Sequence, residues 1–273
     1  MNLSTQIAIV TGGGRGIGRQ IALSLARAGA RVAVVARSRA DLEETAELAG
    51  ADRARILVAP ADMTDPEAVR EMTGQVRGHF GPVTLLVNNA AVYTPGEGPL
   101  WEADLDAWWR HFETNVRGPL ICVRAVLPSM VAAGSGRIIS VGSDSGPLVF
   151  PLSSYNFAKN ALVRLTETLD LALEEAGTGV RSFVVSPGVV RTRMTESFAA
   201  RHPDMEWNSP DECGRLVTAL ASGRYDALHG RYLSIRDDLD LLLKRIDEIR
   251  DGELLVQRMR VYGPDGTVTT NWE

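Results

Sequence analysis

The segment Thr11-Gly12-Gly13-Gly14-Arg15-Gly16-Ile17-Gly18 constrains the chain more than any other. It follows an apolar, β-branched run at residues 7–11 and enters a stretch where Ile17, Ile21 and Leu25 form one helical stripe ending near Gly29. A strand that turns through several glycines into a helix lets the backbone approach a ligand with no Cβ in the way. The helix start then offers unpaired N–H groups and a partial positive charge, which suit a pyrophosphate. Gly12, Gly16 and Gly18 are separated by three residues and then one. That spacing differs from the GxGxxG arrangement of the common dinucleotide fingerprint.

The same alternation continues along the chain. Strands are expected at residues 32–36, 56–59, 83–87, 137–141 and 180–185, and helices at 39–48, about 104–130 and 153–175. Another helix begins at Asp65-Pro66, an acidic N-cap followed by proline at the first helical position. Apolar strands separated by helices imply an α/β fold: a doubly wound parallel sheet of Rossmann type, in three α/β/α layers, occupying residues 1–235. Beyond Pro187, residues 191–210 read as a lid, 210–221 as a helix and 231–235 as a strand. In 237–250, Leu239, Leu242, Leu243 and Ile246 have helical spacing, and 257–272 reads as a hairpin turning at Gly263-Pro264-Asp265-Gly266. Residues 236–273 are therefore expected to form a C-terminal extension packed on the same domain.

Composition excludes several classes. The chain has 273 residues and a net charge of −5, which gives no electrostatic case for nucleic acid or an anionic membrane. No apolar run approaches the roughly 20 residues that span a bilayer. Cys122 and Cys213 are isolated, so neither a metal site nor a disulfide is expected. With no signal-peptide pattern before the first strand, a cytoplasmic setting is expected. Of 29 basic residues only Lys159 and Lys244 are lysine, so a lysine is informative here where an arginine is not.

Tyr155-Asn156-Phe157-Ala158-Lys159 sets a phenol and an ammonium on one helix face. Chance alone supplies about 0.04 such pairs in a chain of this composition. The pairing suits general acid–base work on an oxygen. Free tyrosine titrates near 10, and a positive charge about 6 Å away favours the phenolate by roughly two pKa units at an effective dielectric of about 20. Lys159 can also donate to the ribose hydroxyls of a bound nucleotide. For the choice of dinucleotide, Val34-Val35-Ala36-Arg37-Ser38 ends its strand without the carboxylate that accepts a ribose 2′-hydroxyl. Asp41, Glu43 and Glu44 come later, inside the helix. Arg37 and Arg15 can instead flank a 2′-phosphate, so NADP(H) is expected and NAD(H) less so.

With these motifs the chain resembles the short-chain dehydrogenase/reductase family, in its single-domain branch with TGxxxGxG and YxxxK, over residues 5–235. The resemblance implies that Gly12, Gly14, Arg15, Gly16, Ile17 and Gly18 hold the cofactor with Arg37, Asp62, Met63, Asn89 and Ala90. Asp62 takes the place of an adenine-contacting aspartate, and Asn88-Asn89-Ala90-Ala91 that of an NNAG segment whose glycine is here Ala91. Pro187, Gly188, Val190 and Thr192 match a PGxxxT segment that meets the nicotinamide carboxamide, with Tyr155 and Lys159 beside it. Catalysis is assigned to Asn115, Ser143, Tyr155 and Lys159. Ser143 corresponds to the serine that bonds the substrate oxygen, with Ser140 and Ser145 as neighbours of lesser claim. Asn115 corresponds to the asparagine that kinks a helix and holds a water leading to the lysine.

The expected reaction is hydride transfer between NADP(H) and the carbonyl or alcohol carbon of a small apolar or aromatic molecule. Tyr93, Trp101, Met194, Phe198, Met205 and Trp207 stand in the loops where substrate contacts belong. The family resemblance implies a homo-oligomer, dimer or tetramer, paired through the helices of Asn115 and Tyr155. A dinucleotide-binding sensor or scaffold is the alternative, against which the complete catalytic set counts. An epimerase or dehydratase of the longer branch is disfavoured by the glycine spacing.

Overall fold

Seven apolar runs pair side by side in the computed structural model, which describes residues 1–94, 100–147, 153–262 and 267–270. They are β1 (Ile7–Thr11), β2 (Arg31–Val35), β3 (Ile56–Val58), β4 (Leu85–Asn88), β5 (Gly136–Val141), β6 (Val180–Ser186) and β7 (Tyr232–Ser234). Every pairing is parallel, in the order β3-β2-β1-β4-β5-β6-β7. β1 and β4 are buried at each position, as a sheet covered on both faces requires. The order of winding reverses between β1 and β4, which opens a crevice at the carboxyl ends of those strands.

The described helices are α1 (Gly16–Arg27), α2 (Arg39–Leu48), α3 (Pro66–Phe80), α4 (Leu105–Phe112), α5 (Gly118–Ala132), α6 (Ser153–Glu175), α7 (Glu196–Arg201), α8 (Pro210–Ala221), α9 (Leu239–Lys244) and α10 (Ile246–Asp251). On one face, Ile21, Leu25, Leu42 and Leu220 of α1, α2 and α8 pack on Val10, Val87 and Phe183. On the other, Val69, Met72, Val126 and Met130 of α3 and α5 pack on Ile9, Leu86 and Ile138. Asp65 caps α3 as its sequence predicts, accepting from the N–H groups of Glu67 and Ala68. At the start of α1, by contrast, Arg15 is extended and no side chain caps the helix. None of the described helices is long and apolar enough to cross a membrane.

Two expected helices are broken. The stretch 104–130 is α4 and α5 joined by a π-helical turn, Glu113–Arg117, with Asn115 at its centre. The Asn115 amide turns away from its own helix, donating to the Val92 carbonyl at 2.9 Å and accepting from the Val92 N–H at 2.8 Å. The stretch 237–250 divides at Arg245 into α9 and α10, and the break lets Leu239 and Ile249 both reach the core. The tail contains the expected antiparallel pairing, β8 (Val261–Tyr262) with β9 (Val268–Thr269), while the turn predicted at 263–266 lies outside the described residues.

The extension runs along the outer edge of the sheet. The Leu255 carbonyl accepts the Tyr232 N–H at 2.8 Å, so a stretch of extension backbone bonds to β7. The Gln257 N–H donates to Glu167 on α6 at 2.7 Å, and Arg164 donates back to the Gln257 carbonyl at 2.7 Å. If these contacts make the extension part of the domain's cooperative unit, Ile249→Ala should lower the stability of the whole protein. The expected loss is about 2–4 kcal/mol, seen as a shift of one urea transition. A separate transition at low urea would show the extension unfolding by itself.

Candidate active site

The site starts from the carboxyl end of β1. The Thr11 hydroxyl accepts the N–H groups of Asn89 and Ala90, each at 3.0 Å, and the Asn89 amide donates to the Thr11 carbonyl at 2.9 Å. β1 and β4 are thereby fastened at the point where the winding reverses. The glycine loop fits this confined space because it lacks side chains. A Cβ on Gly12 would lie 2.7 Å from Asn89 Nδ2, and one on Gly18 would lie 2.3 Å from the Gly12 carbonyl oxygen. Gly12 and Gly16 also have φ of +66° and +55°. Together with the uncapped start of α1, the loop is a cradle that fits a pyrophosphate.

From this cradle a crevice of about 1120 Å³ runs across the sheet edge to Tyr155 and Lys159, more than a drug-sized ligand needs and suited to a dinucleotide. Of the residues expected to hold a cofactor, Gly12, Gly14, Arg15, Gly16, Ile17, Gly18, Arg37, Asp62, Met63, Asn89, Ala90, Pro187 and Thr192 line it. Val190 is instead buried, and its carbonyl accepts from the Thr195 hydroxyl at 2.8 Å. The Gly188 N–H is directed to the Ser186 hydroxyl at 3.3 Å. Asp62 Oδ1 accepts the Thr64 N–H and hydroxyl, at 2.9 and 2.8 Å. That backbone N–H is the main cause of the Asp62 carboxyl titrating below its usual range, and the Arg37 guanidinium adds to the effect. Asp41 corrects the sequence reading: although it lies inside α2, it lines the crevice with Arg37 and Ser38. It sits in the first turn of α2, where the helix meets the glycine loop. None of the described residues of the extension lines the crevice.

At the far end Tyr155 is half-buried, and its phenol is hydrogen-bonded to the Ser143 hydroxyl. Ser145 donates its hydroxyl to Ser143 Oγ at 3.0 Å, so Ser145 supports that serine. Lys159 is buried. Its Nζ donates to the Val141 carbonyl at 2.8 Å and lies 5.6 Å from the centre of the Tyr155 ring. The expected lowering of the phenol pKa is not found. Burial pushes Tyr155 up to about 12, against a smaller downward pull from Ser143 and an upward one from Tyr93. The same burial pushes Lys159 down to about 8. Desolvation is the leading cause at both groups, the phenol half-buried and the ammonium buried.

Neighbouring elements hold the phenol in place. The Tyr93 ring meets the Tyr155 ring edge-on, with centroids 5.4 Å apart. His111 on α4 joins the two segments. Its Nε2 lies 2.9 Å from the Thr94 hydroxyl, and its Nδ1 bonds the hydroxyl of Ser154, next to Tyr155. Asn115 acts on the same loop, since both ends of its amide are committed to Val92. Sequence reasoning missed His111, because an isolated histidine in a helix carries no motif.

The glycine cradle, the crevice at the reversal point and the Ser143–Tyr155–Lys159 group define a Rossmann-type oxidoreductase site. The family model described as short chain dehydrogenase matches residues 6–203, and the chain belongs to the short-chain dehydrogenase family. A short chain dehydrogenase of Pseudocercospora fijiensis is 33% identical over 94% of this chain and 88% of its own length. Among solved structures, a short-chain type dehydrogenase/reductase from Mycobacterium marinum is similar with a TM-score of 0.80 and 31% identity, covering 85% of this chain and 94% of that one. A single-site variant of actinorhodin polyketide ketoreductase with NADPH has a TM-score of 0.77 and 28% identity, covering 86% and 97%.

The buried lysine has a consequence for stability. Its pKa is about 8 in the folded protein against 10.5 for an ordinary lysine. Between those values the unfolded chain holds a proton that the folded chain has released, so stability rises with pH over that window. Below about pH 8 the full cost is present, about 3 kcal/mol for a shift of this size. Lys159→Met should therefore be more stable than wild type at pH 7, by about 1–2 kcal/mol once the lost hydrogen bond to Val141 is subtracted. Urea titrations at pH 7 and pH 10 test this, with the gap narrowing at pH 10. A less stable variant at pH 7 would show that the ammonium is no net cost.

Proposed function

We propose that this protein is an NADP(H)-dependent ketoreductase in which Tyr155 exchanges a proton with the carbonyl or alcohol oxygen of a small apolar or aromatic substrate. The observation that carries the reading is the Tyr155 phenol, bonded to Ser143 and 5.6 Å from a buried lysine, at the end of the crevice that begins at the glycine cradle. When bound, the nicotinamide supplies or takes up the hydride at carbon. Tyr155 gives its proton to the substrate oxygen, and the Ser143 hydroxyl steadies that oxygen. A phenol held up to about 12 carries its proton at neutral pH, the form that carbonyl reduction needs. After transfer the phenolate faces the Lys159 ammonium, an attraction of about 3 kcal/mol at an effective dielectric of about 20. Lys159 also serves to hold the nicotinamide ribose.

Arg15 and Arg37 line the adenosine end, which supports NADP(H) over NAD(H), and the ketoreductase similar in structure was crystallised with NADPH. Asp41 and Asp62 line the same crevice, so the preference rests on two guanidinium groups outweighing these carboxylates, of which Asp62 already accepts from Thr64. Val92, Tyr93 and Met194 give the substrate end an apolar wall, which supports an apolar or aromatic carbonyl compound. We also infer a homo-oligomer paired through α4 and α6, where Trp109 and Phe157 are 59% and 62% exposed beside Trp108 and Phe112.

NADPH oxidation should be followed against cyclohexanone, acetophenone, benzaldehyde and ethyl acetoacetate. Tyr155→Phe is expected to keep NADPH affinity within threefold and to lose at least about a hundredfold in kcat. Near-normal turnover by that variant rules out the assigned proton donor, and NADPH binding without turnover of any carbonyl favours a sensor. Arg37→Asp should weaken NADPH binding by about tenfold or more and leave NADH within threefold, as for loss of a charge-assisted phosphate contact. Equal weakening of both would overturn the cofactor preference.

A further inference from the structure

One carboxylate beside the site has no part in the chemistry above. Asp144 directly follows Ser143, and its Oδ1 accepts the Ser186 hydroxyl at 2.6 Å and the Tyr232 phenol at 2.9 Å. Ser186 ends β6, is fully buried, and accepts the Gly188 N–H at 3.3 Å. Tyr232 belongs to β7, 88 residues from Asp144 along the chain. A single oxygen atom thus joins the loop of Ser143 after β5, the Pro187-Gly188 turn after β6, and the edge strand β7.

Each loop is closely packed against its own surroundings. A Cβ on Gly142 would lie 2.8 Å from Val184 Cγ2, and one on Gly188, at φ +66°, would lie 2.3 Å from Asn208 Oδ1. Neither glycine has room for a side chain, and the hydrogen bonds that link the two loops here are those of the neighbouring Asp144. Hydrogen bonds to an ionised carboxylate are shorter and stronger than those between neutral groups, which suits Asp144 to the task. Burial keeps the Tyr232 phenol protonated and hence a donor.

We propose that Asp144 is a positioning residue whose Oδ1 holds the Ser143 loop and the Pro187-Gly188 turn in register, fixing the nicotinamide end of the crevice against the proton donor. This rests on the oxidoreductase reading given above. Ser143 gains a fixed place relative to the turn, and Tyr232 braces the tie from the outer strand.

The test uses full-length D144A, D144N and Y232F, with wild-type turnover of the carbonyl panel as the control for the oxidoreductase reading. Affinities for NADPH and for adenosine 2′,5′-bisphosphate, which lacks the nicotinamide half, are measured by calorimetry. The kcat is measured with whichever ketone of the panel above turns over fastest. In D144A, adenosine 2′,5′-bisphosphate should bind within twofold of wild type, NADPH should weaken at least fivefold, and kcat should fall at least twentyfold. D144N should recover most of both losses, because its amide oxygen can still accept from Ser186 and Tyr232, and Y232F should lose more than twofold in one or both. The proposal is overturned if D144A and Y232F stay within twofold in NADPH affinity and kcat, or if D144A weakens both ligands equally. Should D144A not fold, Y232F decides by the same twofold limit, since it keeps the packed ring and removes one hydroxyl. Absence of turnover of every panel carbonyl by the wild type would sink the oxidoreductase reading alone, because the comparison of the two ligands still judges Asp144.

Discussion

The contact between the first turn of α1 and the joined ends of β1 and β4 sets the geometry of everything around it. At Gly18 the helix passes so near the Gly12 carbonyl that no Cβ fits, and Asn89 closes the same gap from the other side. With the helix start pressed on the sheet edge, its free N–H groups open into the crevice. The crevice then has a fixed origin, and the distance to Tyr155 follows from the order of strands between them. A larger residue at Gly12 or Gly18 would move the helix off the sheet, and the phosphate cradle with it.

At the opposite end the constraint is dielectric. Half-buried Tyr155 and buried Lys159 are each pushed toward the neutral form, the phenol up and the ammonium down. In the proposed reaction the phenolate forms only once the proton has been given away, and it then faces an ammonium that is already present at neutral pH. Water would screen the pair and weaken the field between them. Burial of the Lys159 ammonium works against stability at neutral pH, a pattern common at sites where chemistry and packing compete.

Much of this was legible in the sequence. The period of apolar residues gave the strands β1 to β6 and most helices, because a two-sided sheet leaves no polar face to confuse the pattern. The glycine loop and the Tyr155–Lys159 spacing marked the two ends of the crevice because each is local, contained in eight residues or fewer. The π turn at Asn115 was not legible as such, since it depends on Val92, 23 residues away. Nor was Asp41, whose place in the crevice is set by how α2 is docked. Asp144, Tyr232 and His111 were invisible for the same reason: their partners come from other strands and helices, and no spacing along the chain encodes them. The upward push on the Tyr155 phenol is not legible either, because the sequence announces a nearby cation but says nothing about burial.

The backbone bond from Tyr232 to Leu255 has a consequence for how molecules of this kind stay apart. A parallel sheet left open at its last strand offers a row of unpaired amide groups on which another chain could build. Here part of that row is already occupied by the protein's own continuation, held down by Gln257 on Glu167. Strand addition at this margin would first have to peel the extension away. The opposite margin, β3, is only three residues long and offers little to template on.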